Sequence, residues 1–318
     1  MIFGRGKPVE KTVLLVDVES GSVGSGLAHL SSEHPPKLFG EHRIYLRVPQ
    51  TRDTSALARE VEHAAGQAIA HASEVASRLR LHPQTANLGT LQSASLFLSP
   101  PWGAPDLRLG KPSFLESLTR KLRGYIGAHV GPVSTNFHTH AGAVVTALGG
   151  ISPEAMMRGH VLICSIHGEV SELLLLKNGT VIGHGTIPMG LHALLRTLRT
   201  HGGISEHEAR SVMRLGGHPN YAESLSSVEA HFRDMFRETG EQLFGGMPIE
   251  HVFVFARGPE AGWFARSLSH DSLSDLFPEG GTVQVLRSQH LTPFVEAHAA
   301  NPDSALLLGT LFIEGANN

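Results

Sequence analysis

Asp17 sits near the end of an apolar run, and the small residues Ser20, Gly21 and Ser22 follow three positions later. A turn with so little side-chain bulk lets backbone N–H groups approach an anion closely, and such nests favour phosphate. A carboxylate cannot hold phosphate directly, but it can hold a hydrated Mg²⁺ that bridges phosphate oxygens. Asp17, Ser20, Gly21 and Ser22 therefore make a candidate metal-and-phosphate corner. The competing reading is an ordinary β-hairpin whose aspartate serves its own turn. Other phosphate motifs do not fit. The chain has no Gly-Lys-Ser/Thr loop. Gly21, Gly24 and Gly26 follow the acid instead of preceding it, which is the wrong order for a dinucleotide fingerprint.

A second stretch echoes the first. Val13 to Leu30 and Val161 to Leu176 share one plan: an apolar strand, a turn with Gly and Ser, then a second apolar strand. Asp17 and Ser165 hold the same place in the two copies. Ser165, Gly168 and Ser171 are thus the counterpart phosphate contacts, and two such corners on facing lobes would clamp a nucleoside triphosphate. Two further features carry less. His138-x-His140 has no carboxylate or cysteine at ligand spacing, and two positions apart on a helix point in different directions. Cys164, the only cysteine, lies inside an apolar strand and reads as a buried structural thiol.

The elements that must position these residues follow from periodicity. Lys11 to Asp17 reads as a buried strand, Ser25 to Leu30 as its partner across a Glu19 to Gly24 turn, and His42 to Val48 as a third strand. Thr54 to Leu81 reads as a helix capped by Asp53 and Thr54, and Ala94 to Leu98 as a strand stopped by Pro100 and Pro101. Phe114 to Ile126 and Phe137 to Leu148 read as helices. His160 onward reads as strand, turn, strand, Lys177-Asn178-Gly179 turn, strand. Helices follow over Gly190–Thr200, Ser205–Leu215 and Ser224–Glu241, with Ser205 and Glu208 spaced as a capping box. His251–Ala256 and Val283–Leu286 are further strands, and Ser304–Phe312 a closing helix. Strands alternating with helices imply an α/β fold.

Composition bounds the rest. A chain of 318 residues is long enough for two lobes. A formal charge of −3 gives no nucleic-acid footprint. One cysteine excludes a disulfide framework and suits a reducing compartment. Met1 to Lys11 lacks an apolar signal core, and the most apolar patch, Leu173 to Leu176, is bounded by Glu172 and Lys177. The expectation is a cytoplasmic protein with no direct membrane insertion.

VLLVDVESGSVGSGLAHL resembles the first phosphate hairpin of the actin-like ATPase superfamily, which holds actin, sugar kinases and heat-shock chaperone ATPase domains. LFLSPPW (Leu96–Trp102) resembles the strand and proline turn after the first helix of that fold. Asn136 to Leu148 falls where the interlobe helix belongs. VLICSIHGEVSELLLLKNGTVIGHGTIPMG resembles the second phosphate hairpin, VFVFARGPEAGWFARSL (Val252–Leu268) the adenosine motif, and NPDSALLLGTLF (Asn301–Phe312) the closing helix. Within the superfamily the likeness is to the bacterial PilM and FtsA branch, through the opening MIFGRGKPVEKTVLLVDVESGSVG and the helix in THGGISEHEARSVMRLGG.

The resemblance implies a two-lobed fold, a duplicated ribonuclease H-like plan with a nucleotide cleft between lobes. The first lobe would be 1–150 with the returning helix 301–318, the second 151–300. It implies ATP and Mg²⁺ as cofactors. The nucleotide would be held by Asp17 through water and metal, Ser20, Gly21, Ser22, Ser165, Gly168, Ser171, Gly258 near the adenosine, and Glu208 near ribose or base. The chain departs from the pattern at several points. Ser165 stands where the second hairpin has an acid, His167 and Glu169 where it has glycines, and Val170 where a hydroxyl is usual. Glu19 and Arg257 also replace glycines, and Arg210 takes a glutamate's place. The span from Thr54 to Pro101 leaves little room for the inserted subdomain of PilM and FtsA, and the FtsA amphipathic tail is missing.

The functional expectation is a nucleotide-binding scaffold controlling assembly of a pilus or cell-division complex. It would be at most a slow ATPase, with protein partners, compatible with self-association, and recruited to the inner membrane face by a partner. The first alternative is a degenerate pseudo-ATPase adaptor, favoured by the altered second hairpin. The second is a small-molecule kinase, for which no catalytic acid is evident.

Overall fold

The computed structural model describes residues 10–51, 53–102, 112–215, 219–258, 260–268 and 282–317. The basic leader of the PilM-like opening, residues 1–9, lies outside them. The elements run β1 Glu10–Val18, β2 Ser22–Ser31, β3 Lys37–Tyr45, α1 Thr54–Arg80, β4 Leu91–Leu98, α2 Pro112–His129, β5 Ser134–Thr139, α3 His140–Ile151 and α4 Pro153–Met157. They continue β6 His160–Ile166, β7 Ser171–Lys177, β8 Thr180–Ile187, α5 Leu191–Gly202, α6 Glu206–Leu215, α7 Ala222–Phe244, β9 His251–Ala256, α8 Ala261–Leu268, β10 Thr282–Val285, α9 Ser288–Leu291, β11 Glu296–Ala297 and α10 Ser304–Asn317.

Two sheets organise the chain, in the orders β11-β3-β2-β1-β4-β5 and β10-β9-β6-β7-β8. The echo seen in the sequence is an echo of topology. In each sheet the central strand pairs antiparallel with its hairpin partner and parallel with a later strand: β1 with β2 and β4, β6 with β7 and β9.

Strand alternation sorts the apolar residues into layers. Leu14, Val16 and Val18 face an outer core with α1 and α2. Val13 and Leu15 face an inner core that also takes residues of α3 and α10 together with Ile163, Leu174 and Phe255 of the second sheet. Leu162, Cys164 and Val254 face a third core with α5, α6 and α7. The two sheets thus sandwich α3 and α10. Parity then carries the polar strand ends inward. Asp17 shares the face of Val13 and Leu15, Ser165 that of Val161 and Ile163, Glu172 that of Leu174 and Leu176, and Arg257 extends the row of Phe253 and Phe255.

Several boundaries differ from the sequence reading. β2 begins at Ser22 and the turn shrinks to Glu19–Gly21, because the Gly/Ser run pairs fully: Asp17 lies opposite Gly24 and Val18 opposite Val23. β3 starts at Lys37 and stops at Tyr45. Leu46 and Val48 prolong the apolar alternation because they are buried as packing residues beyond it. Phe137 to Thr139 is strand, not helix. It ends β5, parallel to β4, and α3 starts only at His140, where the Thr139 hydroxyl accepts the Gly142 N–H at 3.2 Å. His138 and His140 therefore sit on different elements, and no metal-holding group of His, Cys, Asp and Glu occurs among the described residues. Asp53 caps α1 as expected, accepting from the Ser55 and Ala56 amides. Between Thr54 and Pro101 the chain holds only α1, β4 and the short stretches 81–90 and 99–101, so no subdomain is inserted there. Among the described residues no helix is long and apolar enough to cross a membrane.

Candidate functional site between the hairpin tips

The two tips touch. The Glu169 N–H donates to Ser20 Oγ at 2.8 Å across the lobes. A Cβ on Gly168 would lie 2.4 Å from the Gly21 nitrogen, and a Cβ on Gly21 would lie 2.9 Å from the Gly168 Cα. Both positions are glycine because backbone meets backbone there. The second tip is engaged from behind as well. Its His167 and Gly168 carbonyls accept the Leu191 and His192 N–H groups at 2.9 and 2.6 Å, capping the N-terminus of α5. Ser171 Oγ donates to the Met189 carbonyl at 2.7 Å. Ser165 is buried between the sheets, and its hydroxyl finds no hydrogen-bond partner among the described residues. The candidate cradle is spent on holding the lobes together.

Asp17 meets arginines. Its Oδ2 accepts from Arg43 Nη2 at 2.8 Å and from Arg257 Nη2 at 2.7 Å. Arg43 also donates to Ser22 Oγ at 2.8 Å and pairs with Asp303, the residue that caps α10 through the Ala305 and Leu306 amides. Arg43 reaches Asp17 because the strand between them has no side chain in the way: a Cβ on Gly24 would fall 2.4 Å from Arg43 Nη2. Arg257 pairs with Glu19 through its other amino group. Burial alone would push the Asp17 carboxyl up, but Arg257 and then Arg43 outweigh it and hold Asp17 far below the usual carboxylate range. Arg43 is correspondingly pushed up despite its burial, by Asp303 and Asp17.

Glu19 accepts from Ser22 Oγ at 2.6 Å and faces His167 Nδ1 at 3.2 Å. Against burial, Arg257 and His167 bring it down to about 2. Glu172 lies 3.9 Å from His167 Nε2 on one oxygen and 3.0 Å from His184 Nε2 on the other. It too falls to about 2, burial being outweighed by the two histidines. Burial opposes a charge on His167, yet Glu172 and Glu19 push it up. His140, at the start of α3, lies 3.7 Å from Asp17 Oδ1, and burial holds it down. The tip carboxylate Glu169 is clamped bidentately by Arg196 of α5 at 3.0 and 2.7 Å.

This set does not fit the Mg²⁺ that the resemblance implies. Two guanidinium groups already hold the carboxylate, and a dication about 4 Å from one of them would meet about 8 kcal/mol of repulsion at an effective dielectric of about 20. Nor do the tips leave an anion-sized gap between Gly21 and Gly168.

Two cavities flank Arg257. One, of about 520 Å³, is lined by Tyr45, Leu46, His192, Glu206, Arg210 and Gly258. The other, of about 680 Å³, is lined by Glu41, Arg43, Arg287, Asn301 and Asp303. Glu41 is pushed up to about 7 by burial. Gly258, with φ +78°, borders both cavities. Glu208 borders neither. It closes the capping box, accepting the Ser205 N–H at 2.8 Å while Ser205 Oγ accepts the Glu208 N–H at 3.3 Å. Glu206 and Arg210 of the same helix line the first cavity instead. Arg43, His140, His184 and Arg196 were not legible as site residues. The signal for Arg257 was present, since it continues the inward row of Phe253 and Phe255 toward Asp17.

No family model and no curated protein matches the chain. Solved structures do. One is the PilM–PilN type IV pilus biogenesis complex, with a TM-score of 0.62 at 14% identity, covering 96% of this chain and 98% of that one. Another is the ethanolamine utilization protein EutJ from Carboxydothermus hydrogenoformans, with a TM-score of 0.54 at 16% identity, over 95% and 89% of the two chains. A third is the Lmo2764 protein of Listeria monocytogenes, a candidate N-acetylmannosamine kinase, with a TM-score of 0.53 at 10% identity, over 96% and 100%. The chain has the two-lobed actin-like ATPase fold, with a cleft between the lobes.

Proposed function

We propose that this chain is a degenerate actin-like assembly scaffold. Its interlobe cleft is closed by the protein's own ion pairs instead of by ATP and Mg²⁺. The observation that carries this reading is Arg257, which donates to Asp17 at 2.7 Å and also pairs with Glu19. A guanidinium on the second lobe thus neutralises the carboxylates of the first. The Ser20–Glu169 bond supports it by joining the two tips. The scaffold role follows the likeness to the PilM chain of a pilus biogenesis complex. On this reading the partners are proteins of a pilus or division complex, and any contact with a membrane is made through them. ATP and Mg²⁺ in the first cavity, the reading with nucleotide, would require the tips to part and Arg257 to leave Asp17. A kinase using the first cavity would need a free carboxylate there, and the carboxylates that line it, Glu19, Glu206 and Glu260, are all paired.

Calorimetric titration of ATP with and without Mg²⁺, on wild type and Asp17→Ala, tests the proposal. No Mg²⁺-dependent binding at about millimolar ATP supports it. Tight Mg²⁺-dependent binding that Asp17→Ala abolishes would overturn it. Binding to peptides from cytoplasmic segments of pilus-assembly proteins, compared with division-ring tails, then separates the two scaffold roles.

A further inference from the structure

His167 stands between two carboxylates on opposite lobes. Its Nδ1 is 3.2 Å from Glu19 Oε2 on the first tip, and its Nε2 is 3.9 Å from Glu172 Oε2 on β7. The ring is fully buried, so water does not screen it. A neutral imidazole carries one N–H and one lone pair, so one carboxylate would face a lone pair. Only the imidazolium presents an N–H to both sides. The Glu172 contact is too long for a hydrogen bond and acts through charge. Glu172 is held from its other side by His184, whose ring is partly exposed on the edge strand β8. The row His184, Glu172, His167, Glu19 therefore runs from the outer edge of the second sheet to the first lobe.

We propose that His167 is a proton-operated latch between the lobes: charged, it ties Glu19 to Glu172, and neutral, it keeps one N–H for Glu19 but loses its charge attraction to both carboxylates, which weakens lobe closure. The other groups around it set the balance. His140 of α3 meets the ring edge-on at 5.4 Å and is held neutral by burial, so it adds no competing charge. Arg257 acts on Glu19 from the end of β9 and opposes a second cation nearby. Asp17, beyond His140, is neutralised by its two arginines. On the tip itself Glu169 belongs to Arg196, and His192 of α5 is held neutral by burial. The carboxylates that face His167 directly are thus Glu19 and Glu172, both ionised near neutrality. The sign follows. His167 is raised above its ordinary 6.5, so its contribution to closure is complete below 6.5 and is lost as pH rises through the raised value. Glu19 and Glu172 are lowered from 4.5 to about 2, so they remain charged across that transition.

The Glu169 N–H reports closure, because its acceptor is Ser20 on the other lobe. Hydrogen exchange of this amide, expressed as a protection factor to remove the intrinsic pH effect, is followed from about pH 6 to about pH 9. Spin labels at Glu60→Cys on α1 and Glu238→Cys on α7 give the interlobe distance over the same range. The expected result is a severalfold loss of protection and a broader, longer distance distribution as pH rises. Glu172→Gln should shift that transition to lower pH, and His167→Gln should abolish it, leaving low protection throughout. Should His167→Gln fail to fold, the Glu172→Gln shift still decides. Flat protection in the wild type, or an unmoved midpoint in Glu172→Gln, would overturn the latch.

Discussion

The two hairpin tips share a backbone plan and divide the chemistry between them. The β1–β2 tip carries buried carboxylates, Asp17 and Glu19, whose cations arrive from elsewhere: Arg43 from β3, Arg257 from beyond β9 and His167 from the other tip. In the β6–β7 tip the residue in Asp17's place is Ser165, and its tip carboxylate, Glu169, is satisfied within its own lobe by Arg196. One tip depends on the opposite lobe and the other does not. The contact between them is therefore asymmetric: losing the second lobe's cations strands Glu19 and leaves Asp17 to Arg43 alone, whereas losing the first lobe leaves Glu169 paired.

The sharpest way to break that asymmetry is Arg257→Ala. It removes one partner of two buried ion pairs, and an uncompensated buried charge costs about 3–5 kcal/mol. Urea unfolding should show a loss of that order, with Arg257→Lys recovering only part, because a single ammonium cannot present the fork that meets Asp17 and Glu19 together. Arg196→Ala, the corresponding change at the second tip, should cost less, since Arg196 is partly exposed. Equal losses would show that the first tip does not lean on the second lobe.

Gly168→Ala comes next. The added carbon meets backbone atoms of Gly21 that cannot swing away, so the tips must separate. Overpacking of this kind costs about 1–3 kcal/mol. Glu169 amide protection should fall together with stability. An unchanged Glu169 amide would mean that the tips are not in contact in solution.

Acid should expose the same dependence. Glu19 and Glu172 sit at about 2 in the folded chain against an ordinary 4.5, so their contribution is complete above 4.5 and is lost as pH falls through about 2. His140 and His192, held neutral by burial, add an earlier loss as pH drops below 6.5, because only the unfolded chain then gains their protons. Thermal midpoints measured between about pH 7 and about pH 2 should fall in those two stages. Arg257→Ala should blunt the lower stage, since Glu19 would no longer be strongly lowered.

Much of this was legible and some was not, for physical reasons. The strand–turn–strand echo, the inward Asp17 and the altered second tip all live in local sequence. The alternation that buries Phe253 and Phe255 also carries Arg257 to the same face, so its approach to Asp17 was legible in principle. Arg43 was not. Its reach depends on the β2–β3 register that sets it beside Gly24, and on Gly24 having no side chain. Phe137 to Thr139 reads as helix in the sequence because nothing there separates β5 from α3, and only pairing with β4 makes it strand. The bonding of the tips to each other could not be read locally at all, because Ser20 and Glu169 are far apart in the chain and join only when the lobes fold together.

The smallest effect concerns the residue that the resemblance placed near the base. Glu208 bonds Ser205 and borders neither cavity, whereas Glu206 lines the cleft and pairs with Arg210. If Glu208 only ends a helix, Ser205→Ala should cost about 1 kcal/mol, the usual worth of a serine N-cap. Glu208→Gln, which keeps a capping-box side chain, should then be silent. Neither change should alter Glu169 amide protection, because Ser205 and Glu208 bond each other and border neither cavity. A change in tip protection in either variant would mean that this helix helps hold the lobes closed, and that the division between a self-sufficient second lobe and a dependent first one has been drawn too sharply.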